Sequence, residues 1–352
     1  MDWCLRAVIG VFKFSLGILF FLNLYLLVAV PEIEYEYFEK DKSDLINIEQ
    51  FLGKVDFKNI LKDRRLFVGI RNVANPSAVQ KLSSDKLDKI GKINPIGIIL
   101  FRENFKDAEQ TKELIEGLRK YLGSDIFIAV DEEGGIVNRV SENKKLGVYH
   151  FPAMEYVGRT DDVHLAYKIG EVLGKQLRRL GVNLNMAPVA DAKLFPDSPL
   201  GSRTFGYLAY NIGLMVEAFI DGIQEQGVFA IVKHFPGLGG TKADTHKELA
   251  LLPYSKNFLM INNFVSFIFG KDAKFIMLGH VIAPKISRDI SSMSRDIVDI
   301  IRNNLNINGI IITDAYDMGA IVNNFSLEDA IRKSLNSGID VVLIPEGFEG
   351  KF

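Results

Sequence analysis

The chain has 352 residues, of which 48% are hydrophobic and 24% are charged, values that are ordinary for a globular protein and exclude long disorder, collagen and low-complexity sequence. The 42 basic and 44 acidic residues leave a net charge of −2, so no basic surplus is available to neutralise a phosphate backbone and nucleic-acid binding is not expected. The single cysteine, Cys4, excludes an internal disulfide and any zinc or iron–sulfur site that needs several thiolates.

The N-terminus carries an apolar run without charge from Phe14 to Val30. A helix of that length spans about 25 Å, close to the thickness of a hydrocarbon core. Arg6 and Lys13 precede the run, and acidic residues follow it at Glu32, Glu34, Glu36 and Glu39. The positive-inside rule therefore predicts a cytoplasmic N-terminus and an extracytoplasmic domain downstream, with a buried core helix as the alternative.

The same segment allows two interpretations, a cleaved signal peptide or a retained membrane anchor. Ala29 lacks a matching small residue at Leu27, which makes a cleavage site weak, and Cys4 precedes the apolar run, so no lipoprotein-type acylation site follows it. We therefore predict that residues 1–30 form a signal peptide or, preferably, a membrane anchor. Residues 31–62 are interpreted as a charged stalk or linker, and residues 63–352 as a single catalytic domain.

From Leu66 onward, short apolar runs alternate with stretches of helical period. Eight runs are predicted as strands: Leu66–Ile70, Gly97–Phe101, Ile126–Val130, Asn183–Pro188, Val228–Val232, Lys274–Leu278, Ile310–Thr313 and Val341–Ile344. The amphipathic stretches between them include Asp107–Leu122, Asp161–Leu180, Leu208–Gln226, Arg295–Asn304 and Leu327–Ser337. Strands buried on both faces and joined by helices are parallel, so the pattern predicts an α/β fold, a (β/α)8 TIM-type barrel, with an open doubly wound sheet as the alternative. Only eight residues follow the last run, so the barrel is expected to lack a last helix of ordinary length.

Polar residues follow these strands directly: Asp131 and Glu132, Asp191, Lys233 and His234, His280, and Asp314. In a barrel these positions lie on the C-terminal face, where active sites are built. A random scatter of charge would not place polar side chains at so many strand ends. The pattern therefore indicates an enzyme.

Asp314 ends an Ile-Ile-Ile-Thr strand. A carboxylate at a strand end is held rigidly, which suits a nucleophile or an electrostatic stabiliser. The alternative is that Asp314 caps the helix that follows, since aspartate is common at such positions.

A glycine-rich loop, Gly237 to Gly240, follows the fifth predicted strand and leads to Asp244-Thr245-His246. Asp244 and His246 can form a hydrogen bond in which the carboxylate orients the imidazole and raises its basicity. The alternative is a surface loop with a solvated acid and an idle histidine. The glycines predict a mobile loop that need not be closed in the absence of ligand.

Three consecutive acids, Asp131 to Glu133, precede Gly134 and Gly135. They are interpreted as a turn that directs Asp131 into a pocket, because no second acidic cluster supports a metal site. Neither a metal nor another cofactor is therefore expected. Arg203, in the loop after the fourth strand, is a candidate for binding a substrate hydroxyl or carboxylate, with a surface salt bridge as the alternative.

These motifs together resemble glycoside hydrolase family 3, specifically its bacterial β-N-acetylglucosaminidase (β-hexosaminidase) branch. The resemblance runs from about Leu66 to Pro345 and rests on six segments in the expected order: residues 130–135, 185–191, 201–206, 233–237, 244–246 and 313–318. The Asp-x-His loop is similar to the β-N-acetylglucosaminidase branch. Relatives that act on plain glucosides usually take their acid from a second domain, for which the chain has no room.

The resemblance implies a retaining mechanism with a covalent glycosyl-enzyme. Asp314 would attack the anomeric carbon, while His246, paired with Asp244, would protonate the leaving oxygen and then activate water. A histidine thus replaces the usual second carboxylic acid. The substrate-binding residues would be Asp131, Arg139, Arg203, Lys233 and His234.

Two positions depart from the family pattern. Leu238 replaces a common histidine and Ile136 a common arginine, but neither removes a named chemical role. The expected function is removal of terminal β-linked N-acetylglucosamine from cell-wall fragments or other extracytoplasmic glycans, by a monomer. The alternatives are a related β-glucosidase, a glycoside phosphorylase, and a membrane-tethered glycan-binding protein without catalysis.

Overall fold

The computed structural model describes residues 64–72, 75–243, 245 and 247–345. The apolar run from Phe14 to Val30, the predicted stalk, Asp244 and His246 lie outside these residues, so the predictions made for them stay predictions. The residues after Pro345 also lie outside the described part, so the expected lack of a last helix stays a prediction. Among the described residues, no helix has both the length and the apolar character that crossing a membrane requires.

Eight parallel strands form a closed barrel, in which each strand pairs with its neighbours in sequence and the last pairs with the first. The predicted barrel is therefore confirmed, and the open sheet is wrong. The strands are β1 (Leu66–Gly69), β2 (Gly97–Ile99), β3 (Phe127–Val130), β4 (Leu184–Asn185), β5 (Phe229–Phe235), β6 (Phe275–Leu278), β7 (Ile310–Ala315) and β8 (Val341–Ile344).

Helices between the strands cover the outside of the barrel. They are α1 (Ser77–Gln80), α2 (Ser84–Ile93), α3 (Ala108–Leu122), α4 (Met154–Arg159), α5 (Val163–Arg179), α6 (Ala209–Gln224), α7 (Lys256–Leu259), α8 (Val265–Phe269), α9 (Arg295–Asp299), α10 (Gly319–Val322) and α11 (Leu327–Ser337). One π-helical turn, Met260–Phe264, joins α7 to α8, and another, Ile300–Asn304, follows α9. Glycines allow α5 and α6 to approach closely, since a Cβ on Gly222 would lie 2.2 Å from the carbonyl oxygen of Tyr167.

Phenylalanines fill the N-terminal end of the barrel interior. Phe67, Phe127, Phe229 and Phe275 come from the first or second residue of their strands and are almost completely buried. The ring centroids of Phe127 and Phe275 are 5.2 Å apart, and those of Phe127 and Phe229 are 5.7 Å apart, both edge to face. These contacts close the barrel at this end and leave its C-terminal mouth for polar side chains.

The strand bounds differ from the prediction mainly at β4 and β5. The regular part of β4 is only Leu184–Asn185, whereas β5 continues beyond Val232 through Lys233, His234 and Phe235. Polar residues normally end an apolar run. Here β5 continues because the ionic partners described below hold Lys233 and His234 inside the protein, and its backbone also pairs with Val189 and Ala190.

Candidate active site

The predicted substrate-binding residues on β5 and in the loops after β3 and β4 lie together at the barrel mouth. The Lys233 ammonium is 2.6 Å from Asp131 Oδ1 and 2.6 Å from Glu133 Oε1. Arg203 donates through Nε and Nη2 to the two oxygens of Glu133, both at 2.8 Å. Three consecutive strands are thereby joined by one buried ionic network. Arg203 therefore does not form the surface salt bridge that was the alternative interpretation.

Glu133 is the centre of this network, a role that the sequence does not reveal. Only 2% of its side chain is exposed, against 3% for Lys233. Burial would raise the pKa of Glu133, but the charges and hydrogen bonds of Arg203 and Lys233 outweigh burial and hold the pKa far below its usual value. Burial would likewise lower the pKa of Lys233, but Asp131 and Glu133 raise it. Glu133 and Lys233 are therefore both charged at neutral pH.

Asp191 holds the turn that follows β5. Its Oδ2 accepts the backbone N–H of His234 at 2.9 Å and lies 2.8 Å from His234 Nδ1, while its Oδ1 accepts the backbone N–H of Leu238 at 2.7 Å. Arg203 Nη2 lies 3.3 Å from His234 Nε2, so both ring nitrogens have partners. The imidazole of His234 is thus fixed in orientation.

The two departures from the family pattern have different surroundings. Leu238 contributes its backbone N–H to Asp191, and its side chain is buried in an apolar cluster with Val189, Leu200 and Val281. Leucine therefore meets the structural need of that turn without an imidazole. Ile136 lies in the turn between the short strands Glu132–Gly134 and Val137–Asn138 and is exposed. Nothing in the structure explains the loss of a basic residue there.

Arg139 follows this hairpin. Its backbone N–H donates to the carbonyl oxygen of Asp131 at 3.2 Å, which ties it to the end of β3. Its side-chain Nε is buried and has no hydrogen-bond partner among the described residues. Because a buried donor without a partner is costly, this atom suits a bound hydroxyl or carboxylate.

Asp314 lies near the end of β7 and is half-buried at the barrel mouth. Its Oδ1 accepts the backbone N–H of Ala315 at 2.8 Å, whereas Oδ2 has no hydrogen-bond partner among the described residues. Desolvation would raise the pKa of Asp314, but His234, His280, the Ala315 N–H and Lys233 together outweigh desolvation and lower the pKa. The carboxylate is therefore ionised at neutral pH, as a nucleophile requires.

His280 supports the residue that follows Asp314. The buried imidazole lies 2.9 Å from the carbonyl oxygen of Ala315 through Nε2 and 2.8 Å from Ser292 Oγ through Nδ1. Ala315 in turn donates its N–H to Asp314. The sequence places His280 at a strand end but gives it no role; the structure shows that it orients the backbone beside the candidate nucleophile.

The loop that carries Asp244 and His246 is tied to the segment after β7. Thr245, between the two, is buried, and its carbonyl oxygen accepts the backbone N–H of Ala320 at 3.3 Å. The carbonyl oxygen of Lys247 accepts from Asn323 Nδ2 at 3.3 Å. The backbone of this loop therefore contacts the chain that leads away from Asp314, while the predicted mobility of the loop stays a prediction.

Within the described part of the chain, no group of three or more His, Cys, Asp or Glu side chains is arranged to hold a metal ion. The acids at the mouth form ion pairs instead, Asp131 with Lys233, and Glu133 with both Lys233 and Arg203. Glu132 points away from this network and accepts the backbone N–H of Val140 at 2.7 Å. The site is therefore built for binding through charged hydrogen-bonding groups.

Comparison with known proteins gives the family. The family model described as the glycosyl hydrolase family 3 N-terminal domain matches residues 65–349, which is most of the chain. The chain belongs to glycosyl hydrolase family 3. It is accordingly a glycoside hydrolase, which confirms the family resemblance and the prediction of an enzyme.

Two relatives named beta-hexosaminidase match most of the chain. The protein from Nitrosomonas eutropha is 32% identical over 270 residues, which are 73% of this chain and 76% of that protein. The protein from Glaesserella parasuis serovar 5 is 33% identical over 258 residues, covering 71% and 74% of the two chains.

Two solved structures are also similar to this chain. A glycoside hydrolase family 3 beta-N-acetylglucosaminidase from a Paenibacillus species has a TM-score of 0.76 at 27% identity and covers 84% of this chain. This chain spans only 56% of that longer protein. NagZ from Neisseria gonorrhoeae has a TM-score of 0.71 at 26% identity, with 80% of each chain covered.

The buried network makes a prediction about stability. Glu133→Ala leaves Arg203 without a carboxylate partner and Lys233 with only one, so we expect the free energy of unfolding to fall by about 3–5 kcal/mol. Urea denaturation measures this change. Glu328→Ala is the matched control, because Glu328 pairs with Arg332 at 2.9 Å on an exposed surface and its loss should change stability little. Equal effects of the two substitutions would contradict the prediction.

The lowered pKa of Glu133 gives a pH dependence. A carboxyl whose folded-state pKa lies below the ordinary 4.5 contributes stability that is fully present above about pH 4.5 and is lost as the pH falls towards the folded-state pKa. The difference in unfolding free energy between the wild type and Glu133→Gln should therefore be constant near neutrality and shrink below about pH 4.5. Denaturation series at several pH values measure it. A difference that grows with acidification would show that the sign is wrong.

Proposed function

We propose that the protein is a retaining β-N-acetylglucosaminidase that removes terminal β-linked N-acetylglucosamine from cell-wall-derived or other glycans. The observation that carries the proposal is the ionised carboxylate of Asp314 at the barrel mouth, with Oδ2 unpartnered among the described residues, in a chain whose curated relatives are named beta-hexosaminidase. The mechanism and the residue roles are those that the family resemblance implies.

In the first step, Asp314 Oδ2 forms a bond to the anomeric carbon while the bond from that carbon to the glycosidic oxygen breaks. The leaving oxygen takes a proton from the imidazolium of His246, and the sugar remains as an ester on Asp314. The Ala315 N–H holds Oδ1, which leaves Oδ2 as the attacking atom. His280 keeps this peptide in place through the Ala315 carbonyl oxygen.

In the second step, His246 removes a proton from water, and the water oxygen attacks the anomeric carbon as the ester bond to Asp314 breaks. Asp244 orients the imidazole and stabilises its protonated form in both steps. The contact of Thr245 with Ala320 supports this assignment, because it brings the backbone of the loop to the segment after Asp314.

The sugar hydroxyls would be held by the ionic groups at the mouth. Lys233 and Arg203 donate hydrogen bonds, Asp131 accepts them, His234 offers a ring in fixed orientation, and Arg139 has a free buried Nε among the described residues. Because each hydroxyl buried from water needs a partner, such a ring of charged donors and acceptors suits a polyhydroxylated substrate.

Turnover of a chromogenic β-N-acetylglucosaminide, compared with the corresponding β-glucoside and with and without inorganic phosphate, tests the proposal. We expect the N-acetylglucosaminide to be the better substrate, with phosphate having no effect on the rate. Preference for the glucoside would identify a β-glucosidase, and phosphate dependence with release of a sugar phosphate would identify a phosphorylase. Binding without turnover would identify a glycan-binding protein.

We also infer that the apolar run from Phe14 to Val30 tethers a catalytic domain outside the cytoplasm. The charge asymmetry around the run supports this inference. In cells that produce the full chain, the protein should stay in the membrane fraction after alkaline carbonate washing, and external protease should degrade its barrel. Release by carbonate, or protection from protease until the membrane is lysed, would show that the inference is wrong.

A further inference from the structure

Exposed apolar side chains are concentrated on one side of the barrel mouth. Among the described residues, seven of the twelve large hydrophobic side chains that are exposed lie in the loops after β3 and β4 or in the first turn of the helix that follows: Ile136, Tyr149, Tyr156, Val163, Tyr207, Leu208 and Tyr210. These segments lie at the C-terminal end of the barrel, where the candidate active site is. Concentration of apolar surface at one place indicates a binding surface.

Tyr156 and Tyr207 are the part of this surface with the most defined surroundings, and we name them the tyrosine shelf. They are 60% and 48% exposed. The Arg159 guanidinium lies 5.6 Å from the ring centroid of Tyr156, and the Lys193 ammonium lies 5.3 Å from that of Tyr207. Each ring thus has a cation over one face.

One carboxylate holds the two cations in position. Glu155 accepts a hydrogen bond from Arg159 at 2.8 Å and from Lys193 at 3.5 Å. Because Arg159 lies over Tyr156, Lys193 lies over Tyr207 and both cations bind Glu155, the two tyrosines belong to one part of the surface although 51 positions separate them in sequence. The shared carboxylate keeps these cations in place beside the rings, which lowers the conformational cost of using them to bind a ligand.

The shelf is continuous with the candidate active site. The backbone N–H of Glu155 donates to the carbonyl oxygen of Ser202 at 3.1 Å, and Ser202 precedes Arg203. Tyr207 is four residues after Arg203, a separation that the backbone spans with at most about 14 Å. Tyr207 is therefore within the reach of an oligosaccharide whose terminal sugar is bound at Arg203.

We propose that the tyrosine shelf binds the sugar units of an oligosaccharide that lie beyond the terminal residue held at Arg203 and Lys233. A pyranose ring presents a flat C–H face that packs on an aromatic ring, while its hydroxyls at the edge take hydrogen bonds from the phenols and from Arg159. The mixture of exposed aromatic rings and fixed polar groups matches both needs. This inference rests on the proposed function and adds a preference for longer glycans.

The experiment compares two substrates in the full chain: a chromogenic β-N-acetylglucosaminide, which ends at the first sugar, and a β-1,4-linked tetramer of N-acetylglucosamine. Tyr156→Ala and Tyr207→Ala should each raise KM for the tetramer about three- to tenfold, with kcat little changed. Both should leave kcat/KM for the chromogenic substrate within about twofold of the wild type. Tyr121→Ala is the matched control, since Tyr121 is 46% exposed but lies in the last turn of α3, at the other end of the barrel.

A binding measurement separates the failure of this proposal from the failure of the proposed function. In the Asp314→Ala background, titration calorimetry with the tetramer should show Kd weakened by the double substitution at Tyr156 and Tyr207, whether or not the wild type hydrolyses N-acetylglucosaminides. Unchanged tetramer binding and KM would overturn the proposal and leave the surface to another occupant, such as a lipid or protein surface. An equal loss on both substrates would also overturn it, because the shelf would then act only through the fold.

Discussion

Asp314→Ala is expected to abolish formation of the glycosyl-enzyme and to lower kcat/KM for a chromogenic β-N-acetylglucosaminide by at least about 10⁴-fold. The physical reason is that this carboxylate would supply the electron pair that makes the new bond, while the neighbouring acids that the structure describes at the mouth have cationic partners. Asp131 and Glu133 are paired with Lys233 and Arg203. Steady-state kinetics measure the loss, and mass spectrometry of the protein after rapid acid quenching detects the ester.

Two further variants separate chemistry from folding in this prediction. Asp314→Asn keeps the shape and an oxygen that can accept the Ala315 N–H but removes the charge, so it should be as inactive as alanine. Asp317→Asn is the matched control, because it makes the same change three residues later, where the carboxylate lies 3.9 Å from Arg71. Activity of Asp314→Asn close to that of the wild type would show that Asp314 is not the nucleophile.

His246→Ala is expected to slow substrates with poor leaving groups by about 10²- to 10⁴-fold while mostly sparing those whose leaving group needs no proton. A dinitrophenolate departs as an anion, whereas a sugar alcohol must be protonated as the glycosidic bond breaks. Asp244→Ala should follow the same pattern, since His246 then loses its orientation and basicity. Comparison of kcat/KM for a dinitrophenyl glycoside and a disaccharide measures the effect.

His164→Ala provides the matched control for this prediction. His164 is exposed on α5 and its ring stacks on Tyr167, at 6.1 Å between centroids. Its removal should change neither substrate. If His246→Ala slowed good and poor leaving groups equally, His246 would be a binding or structural residue, and the acid would have to be sought elsewhere.

The barrel could be predicted from the sequence because its signal is local. Each strand is buried on both faces, so runs such as Ile310–Thr313 contain almost nothing polar, and the amphipathic helices between them require parallel neighbours. The candidate nucleophile was recognisable for the same reason, since a carboxylate directly after such a run lies at the mouth of the barrel. The family resemblance added the roles of the individual residues.

The ionic network could not be predicted because its partners are distant in sequence. Glu133 and Arg203 are 70 positions apart, and three adjacent acids after β3 give no sign of which one turns towards Arg203. Tertiary contacts distinguish the two buried acids. Glu133 pairs with Arg203 and Lys233, whereas Glu132 accepts the backbone N–H groups of Val140 and Ser141. The role of Asp191 could not be predicted for the same reason, because it accepts the backbone N–H groups of a turn more than forty positions away.

The phenyl rings at the N-terminal end of the barrel restrict access to the candidate active site to the opposite end. Phe67, Phe127, Phe229 and Phe275 pack against one another across the barrel interior, so a ligand reaches Asp314 from the C-terminal mouth. In the proposed reaction, substrate would enter and the released sugar would leave on this same side. We therefore expect free N-acetylglucosamine to compete with substrate for the mouth of the barrel.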